Sequence, residues 1–332
     1  MFKTRSRYDY GSHAHRNQRV NRGVIIIFIS IFIVSGGVFW GSRRTRLGND
    51  RREILRLWEE ASYEEVFRIT QDKLQINPLD YFLLTTHGIV SYQLAVAQIN
   101  NHDTMSYLDR CIWSLRKALL VNEKAKDGRI PYVLGKAYYE KGAGYADLAV
   151  KFLEAARKAA YNAWDIPEYL GLAYAGIHDY HNSVAAFTLA LNPANDFEKN
   201  LETKGGEPPV PARSVYPQDL LLLAIARSYG ELGESDTAKA YLLRCIETSR
   251  DTQVIITARL LLGGLLENSG DKDGAISQYL TIIEESGENA EVHYRLGELY
   301  ASMGDTTRSR FEWRTAMRID PTHKQARIRL NL

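Results

Sequence analysis

Glycines and aromatics recur along this chain at a spacing of 34 residues, and a period of that length restricts the fold more tightly than composition does. Between Ala290 and Pro321, Leu296-Gly297 and Tyr300 share one face of a predicted helix and Gly304-Asp305 supply a turn. Ser309, Trp313 and Ala316 then share one face of a second helix, which Pro321 stops because proline has no N–H to continue it. Gly263 stands 34 residues before Gly297, with Leu262, Leu266, Gly270-Asp271, Ala275 and Tyr279 in register. A third unit carries Ala226, Tyr229, Gly233-Glu234, Ala238 and Leu242, and a fourth carries Leu170-Gly171, Tyr174, Asp179-Tyr180, Phe187 and Ala190. A fifth carries Leu134-Gly135, Tyr138, Gly142, Phe152 and Ala155, with one extra residue in its turn. Upstream the pattern degenerates. Residues 81–123 keep Gly88, Tyr92, Cys111 and Ala118 around a lengthened turn, and residues 51–78 keep Tyr63 and Pro78 after a poor first helix.

This pattern resembles the tetratricopeptide repeat, whose 34-residue signature places these residue types at this spacing. The resemblance covers most of residues 50–323. It implies an all-α fold, a right-handed α-solenoid of about seven helix pairs across 51–323, closed by a capping segment at 324–332. Two helices of one unit expose an apolar side that only the next unit can cover, so small residues allow close helix contact and aromatics fill what remains. Most of the 20 tyrosines are therefore expected in packing positions.

The resemblance also implies a role in binding other proteins or extended peptides, along the concave surface formed by the first helices of the pairs. In this register the outward positions include Tyr132, Lys136, Tyr139 and Glu140 in one unit, Arg227 and Glu231 in another, and Tyr294 and Glu298 in the last. Arg129, Tyr132, Lys136 and Tyr139 form the most distinctive group, because aromatics and cations together suit an acidic or aromatic peptide. A solvated helix face with amphipathic packing is the competing reading of the same residues. The Lys/Asn/Arg pattern with which some tetratricopeptide proteins clamp a terminal carboxylate is not reproduced.

Ahead of the repeats, residues 24–40 contain no charged side chain. Seventeen residues at helical rise give roughly 26 Å, at the short end of what crosses a bilayer core. A single transmembrane helix is expected, following a basic tail (1–23) and followed by a basic linker (41–50). A cleaved signal peptide with Val34-Ser35-Gly36 at its end and a buried core helix are the alternatives. The tail carries a net charge of +5 and residues 41–52 carry +4, so the flanking charges do not decide orientation. Moving a short, strongly basic tail outward is costly whereas long domains translocate with little regard to charge, which favours a cytoplasmic tail and extracytoplasmic repeats.

Residues 53–332 carry a net charge of −7, so no nucleic-acid footprint is indicated. A stretch rich in Gly, Pro and charge at about 194–217 breaks the period, and reads either as a tolerated surface insertion or as a partner-binding loop or inter-repeat hinge. His178 and His181 are three apart, but on a turn where the repeat varies freely. His293 occupies an inter-helix packing position. Lys204-Gly205-Gly206-Glu207 lacks the spacing of a phosphate-binding loop. Cys111 and Cys245 have no metal-ligand neighbours, fall on different repeats, and are expected as buried free thiols. No catalytic residue, metal or cofactor is assigned. The expected function is a membrane-anchored scaffold for assembly of an envelope, secretion or motility complex; the alternative is a membrane-tethered regulatory subunit of an enzyme or protease on the cytoplasmic side.

Overall fold

The recurrence of small and large residues is, in five of the units, a steric fit between their two helices. A Cβ on Gly171 would sit 2.5 Å from the Phe187 ring, and one on Gly263 or Gly297 would meet Tyr279 or Trp313 closer still. Each ring comes from the second helix and occupies the space that the missing methyl leaves. Where the small residue is Ala226, the facing side chain in the same buried cluster is the smaller Leu242. Where it is Gly88, Leu115 stands at 2.5 Å.

The computed structural model of the protein describes residues 47–98, 101–122, 127–191 and 217–331. The expected transmembrane segment, the basic tail and all but the last residue of the expected insertion lie outside them. Among the described residues there are fifteen α-helices and one 3-10 turn (Ala143–Tyr145), with no strand. Helix α1 (Leu47–Glu59) pairs with α2 (Tyr63–Ile76) and α3 (Tyr81–Ala97) with α4 (Asn101–Val121), followed by α5 (Arg129–Glu140); α6 (Ala146–Lys158) comes after the short 3-10 turn. Then come α7 (Ile166–Gly176) with α8 (Tyr180–Leu191), α9 (Gln218–Glu231) with α10 (Ser235–Thr248), α11 (Thr252–Asn268) with α12 (Lys272–Ser286), and α13 (Ala290–Ser302) with α14 (Thr306–Ile319). Helix α15 (Lys324–Arg329) closes the chain. No helix among the described residues is long and apolar enough to cross a membrane.

The turns within pairs repeat one geometry. Gly233, Gly270 and Gly304 have φ of 79°, 83° and 83°, and in each turn the next residue donates its N–H five residues back, as Asp305 does to Tyr300. This left-handed exit satisfies carbonyls that the helix end would orphan. Asp271 and Asp305 then cap the second helix by accepting from the N–H of Gly274 and Arg308. The α7–α8 turn has the same geometry with His178 at φ 62°, and the α1–α2 turn with Ala61 at φ 55°, where these three use glycine.

The chain divides into two compact units, one ending at Lys141 and one beginning at Gly142. In the first, each helix packs on its sequence neighbour and α5 also packs on α3. Helix α3 carries no charge and is buried on nearly every side between Leu83 and Ala95, as expected for a helix that is apolar all round. Helix α1 begins at Leu47, inside the expected linker, and its apolar face of Ile54, Leu57 and Trp58 is buried on α2. Tertiary packing thus completes the pair whose sequence signal was poorest.

In the second unit the helices from α6 to α15 again pack in sequence order. The period break between α8 and α9 does not break the stack. These helices pack directly, and Ser183 Oγ lies 2.9 Å from the Gly171 carbonyl and 3.0 Å from Ser228 Oγ. Both cysteines are buried free thiols. Burial pushes the Cys111 thiol pKa far up, and burial with Asp219 pushes that of Cys245 up to about 11 against the opposing pull of Arg227.

Candidate protein-binding surfaces

In the first unit the expected cluster sits on α5, and the structure turns part of it inward. Tyr132 is only 3% exposed, too little to anchor a partner. Lys136 is half-buried with its Nζ 3.2 Å from the Tyr132 hydroxyl and 5.1 Å from the centre of that ring, and it also approaches Tyr92. Arg129 is held locally, since its Nε and Nη2 donate to both oxygens of Asp127 at 2.6 to 3.1 Å. Tyr139 and Glu140 are half-buried, and desolvation raises the Glu140 carboxyl pKa against the pull of Lys136. Lys136 is thus seated on aromatic rings and Arg129 on a carboxylate, which leaves a narrower exposed margin than the helix register alone suggests.

In the second unit, Tyr294 and Glu298 lie under α15. Arg329 donates to both Glu298 oxygens at 2.8 and 2.5 Å, and the His323 ring lies 5.1 Å from Tyr294. The closing helix therefore occupies this part of the last repeat's first-helix face. Arg227 is half-buried beside Cys245, whereas Glu231 is exposed at the end of α9. The histidines behave as packing and turn residues. His293 is buried with Nδ1 2.6 Å from Glu312, and His178 turns its Nδ1 to the Tyr180 hydroxyl at 2.7 Å. Among the described residues no group of three or more metal-ligating side chains converges.

Outside the expected positions, a shallow depression of about 320 Å³ opens on the first unit, lined by Phe67, Gln98, Asp103, Ser106, Tyr107 and Arg110. Its floor is an aromatic ladder: the His87 ring stacks on Phe67 at 4.6 Å, Tyr107 meets Phe67 edge-on at 5.3 Å, and the Arg110 guanidinium lies 5.5 Å from the Phe67 ring centre. His87 is buried with Nδ1 2.9 Å from the Thr70 hydroxyl. Burial, with the Arg110 charge, lowers its pKa to about 4. An exposed guanidinium above an aromatic floor, with amide, hydroxyl and carboxylate groups at the rim, is suited to an extended segment carrying an acidic or aromatic side chain. Sequence reasoning missed it because Phe67, Tyr107 and Arg110 come from second helices, while the repeat register directs attention to first helices. Their i, i+3 spacing on α4 was the available signal.

The tetratricopeptide repeat family profile matches residues 221–252 and 290–323. No protein of curated function matches the sequence. Among solved structures, the C-terminal part of a TPR repeat-containing protein from Cytophaga hutchinsonii is 15% identical with a TM-score of 0.55, covering 83% of this chain and 97% of that one. PilW, described as a widely conserved type IV pilus biogenesis factor, is 15% identical with a TM-score of 0.52, covering 73% of this chain and 98% of that one. This chain is an all-α helical repeat protein of tetratricopeptide-like fold, with tetratricopeptide repeats matched at residues 221–252 and 290–323.

Proposed function

We propose that the chain is a membrane-anchored scaffold whose repeats bind other proteins and hold them at the cell envelope during assembly of an envelope, secretion or motility complex. The observation that carries this reading is the recurrence of one steric fit, Gly88 on Leu115, Gly171 on Phe187, Gly263 on Tyr279 and Gly297 on Trp313, along a run of helices that pack in sequence order within each unit. Such a stack presents broad, chemically varied helix faces rather than an enclosed reaction chamber. Residues 24–40 supply the tether, with the basic tail inside and the repeats outside the cytoplasmic membrane. The pilus-biogenesis factor that shares the fold is a precedent for the assembly role.

The test is photo-crosslinking in native membranes from probes at Arg110 and Glu231, compared with Arg110→Ala and Glu231→Lys chains. A defined partner captured by the wild type and lost from one variant, with unchanged melting, supports the scaffold. An identical crosslinking pattern in every variant contradicts it at these surfaces. Protease treatment of spheroplasts separates the two compartments: digestion of the repeats places them outside, and protection favours the cytoplasmic regulatory subunit.

A further inference from the structure

One end of the first unit gathers three features. The first is the start of α1 at Leu47, from which the chain runs back to residues 24–40. The second is the α2–α3 turn, and the third is the end of α4. Their proximity is visible in the packing. Lys73 near the end of α2 meets Asp50 at 2.7 Å, and Arg51 meets Asp80, the cap of α3, at 3.2 Å. Helices α3 and α4 are antiparallel, with Gly88 against Leu115, which brings Leu120 beside the start of α3.

Among the described residues of this unit the three most exposed large apolar side chains lie here, Leu120 at 75%, Ile76 at 74% and Leu79 at 60%, with Val121 beside them; Trp113, at 57%, lies midway along α4 under Lys117. The opposite end carries only the less exposed Val96 and Met105, at 49% and 38%. Three carboxylates at the apolar end are matched by cations, Asp50 by Lys73, Asp80 by Arg51 and Asp127 by Arg129. These pairs reduce the repulsion that an anionic surface would meet here. Arg43, Arg44 and Arg46 add positive charge in the six residues that join Trp40 to α1, a joint that reaches at most about 25 Å.

We infer that this end of the first unit rests on the lipid surface, with Ile76, Leu79, Leu120 and Val121 dipping into the headgroup boundary. The inference depends on residues 24–40 spanning the membrane. Six residues are too few to carry the apolar rim far from a span at 24–40, and at the bilayer side chains left bare in water gain an apolar environment while the positive charge of the joint adds attraction to anionic lipid. The contact adds a second attachment and restricts the tilt of the first unit.

The test uses the full chain in vesicles of phosphatidylcholine and phosphatidylglycerol. Leu120→Cys, Ile76→Cys and, as control, Met105→Cys carry an environment-sensitive NBD probe in chains whose native Cys111 and Cys245, both buried, are replaced by alanine. Blue-shifted emission at 120 and 76, quenched by lipids nitroxide-labelled near the headgroup boundary, with neither effect at 105, is the expected result. A water-like spectrum at 120 and 76 in chains that float with vesicles after alkaline washing overturns the contact and leaves the span standing. Failure of the full chain to float removes the span and this inference with it. A blue shift without nitroxide quenching shows that protein, such as a second copy, covers the rim and also overturns the proposal.

Discussion

Gly263 faces the ring of Tyr279, which is 1% exposed, so an added methyl has nowhere to go. Gly263→Ala should destabilise the protein by about 1–3 kcal/mol through overpacking. Combining it with Tyr279→Leu should cost less than the two single changes summed, read as a coupling in chemical denaturation. At His178, a left-handed φ is adopted where three other repeats place glycine. His178→Gly should stabilise by about 1 kcal/mol by removing the steric cost of that conformation, giving a small rise in melting temperature. His87 makes the third residue-scale case. Its folded pKa, about 4, lies below that of an unfolded histidine, so the unfolded chain takes up the proton first as pH falls. Its contribution to stability is complete above about pH 6.5 and is lost progressively down to about pH 4, in total roughly 3 kcal/mol. Urea melts across that window should show the decline, and a His87→Asn chain should show it flattened. Arg110→Ala should move the decline to lower amplitude, since removing a nearby cation raises the folded pKa.

Single helices depend on the neighbours that cover them. Helix α15 has only six residues and would not persist alone, yet Ala326 is fully buried and Arg329 bridges to Glu298 while its guanidinium lies 5.9 Å from the Trp313 ring centre. Deleting residues 323–332 should uncover the face bearing Tyr294 and Trp313, lower the melting temperature, and increase self-association in light scattering, as removal of a cap does in repeat arrays. Arg329→Ala alone should cost less than about 1 kcal/mol because that ion pair is half exposed. A full loss of fold from the single substitution would show that the ion pair, rather than burial of Ala326 and its neighbours, holds the cap. Helix α1 makes the same point from the other end, its sequence pattern being weak and its apolar face well covered.

For the whole molecule, the helix pairs bury their apolar faces on one another rather than in lipid. Removal of residues 1–41 should therefore leave a folded chain that salt or alkali releases from membranes without detergent, with a circular dichroism spectrum free of strand signal. Retention that only detergent reverses would locate an integral attachment elsewhere in the chain. The 34-residue period, the helix pairs and the placing of small residues opposite large ones were all legible in the sequence. Those features are set by residues within one repeat, where turn chemistry and helical spacing act over short separations. The depth of Tyr132, the covering of Tyr294 and Glu298 by α15, the aromatic depression between second helices and the division at Lys141 and Gly142 were decided only by tertiary structure. Whether a helix face meets solvent or another helix depends on chain segments that no period within the repeat specifies. A repeat register therefore identifies which residues share a face, and only the packing of successive elements determines which of those faces stay open to a partner.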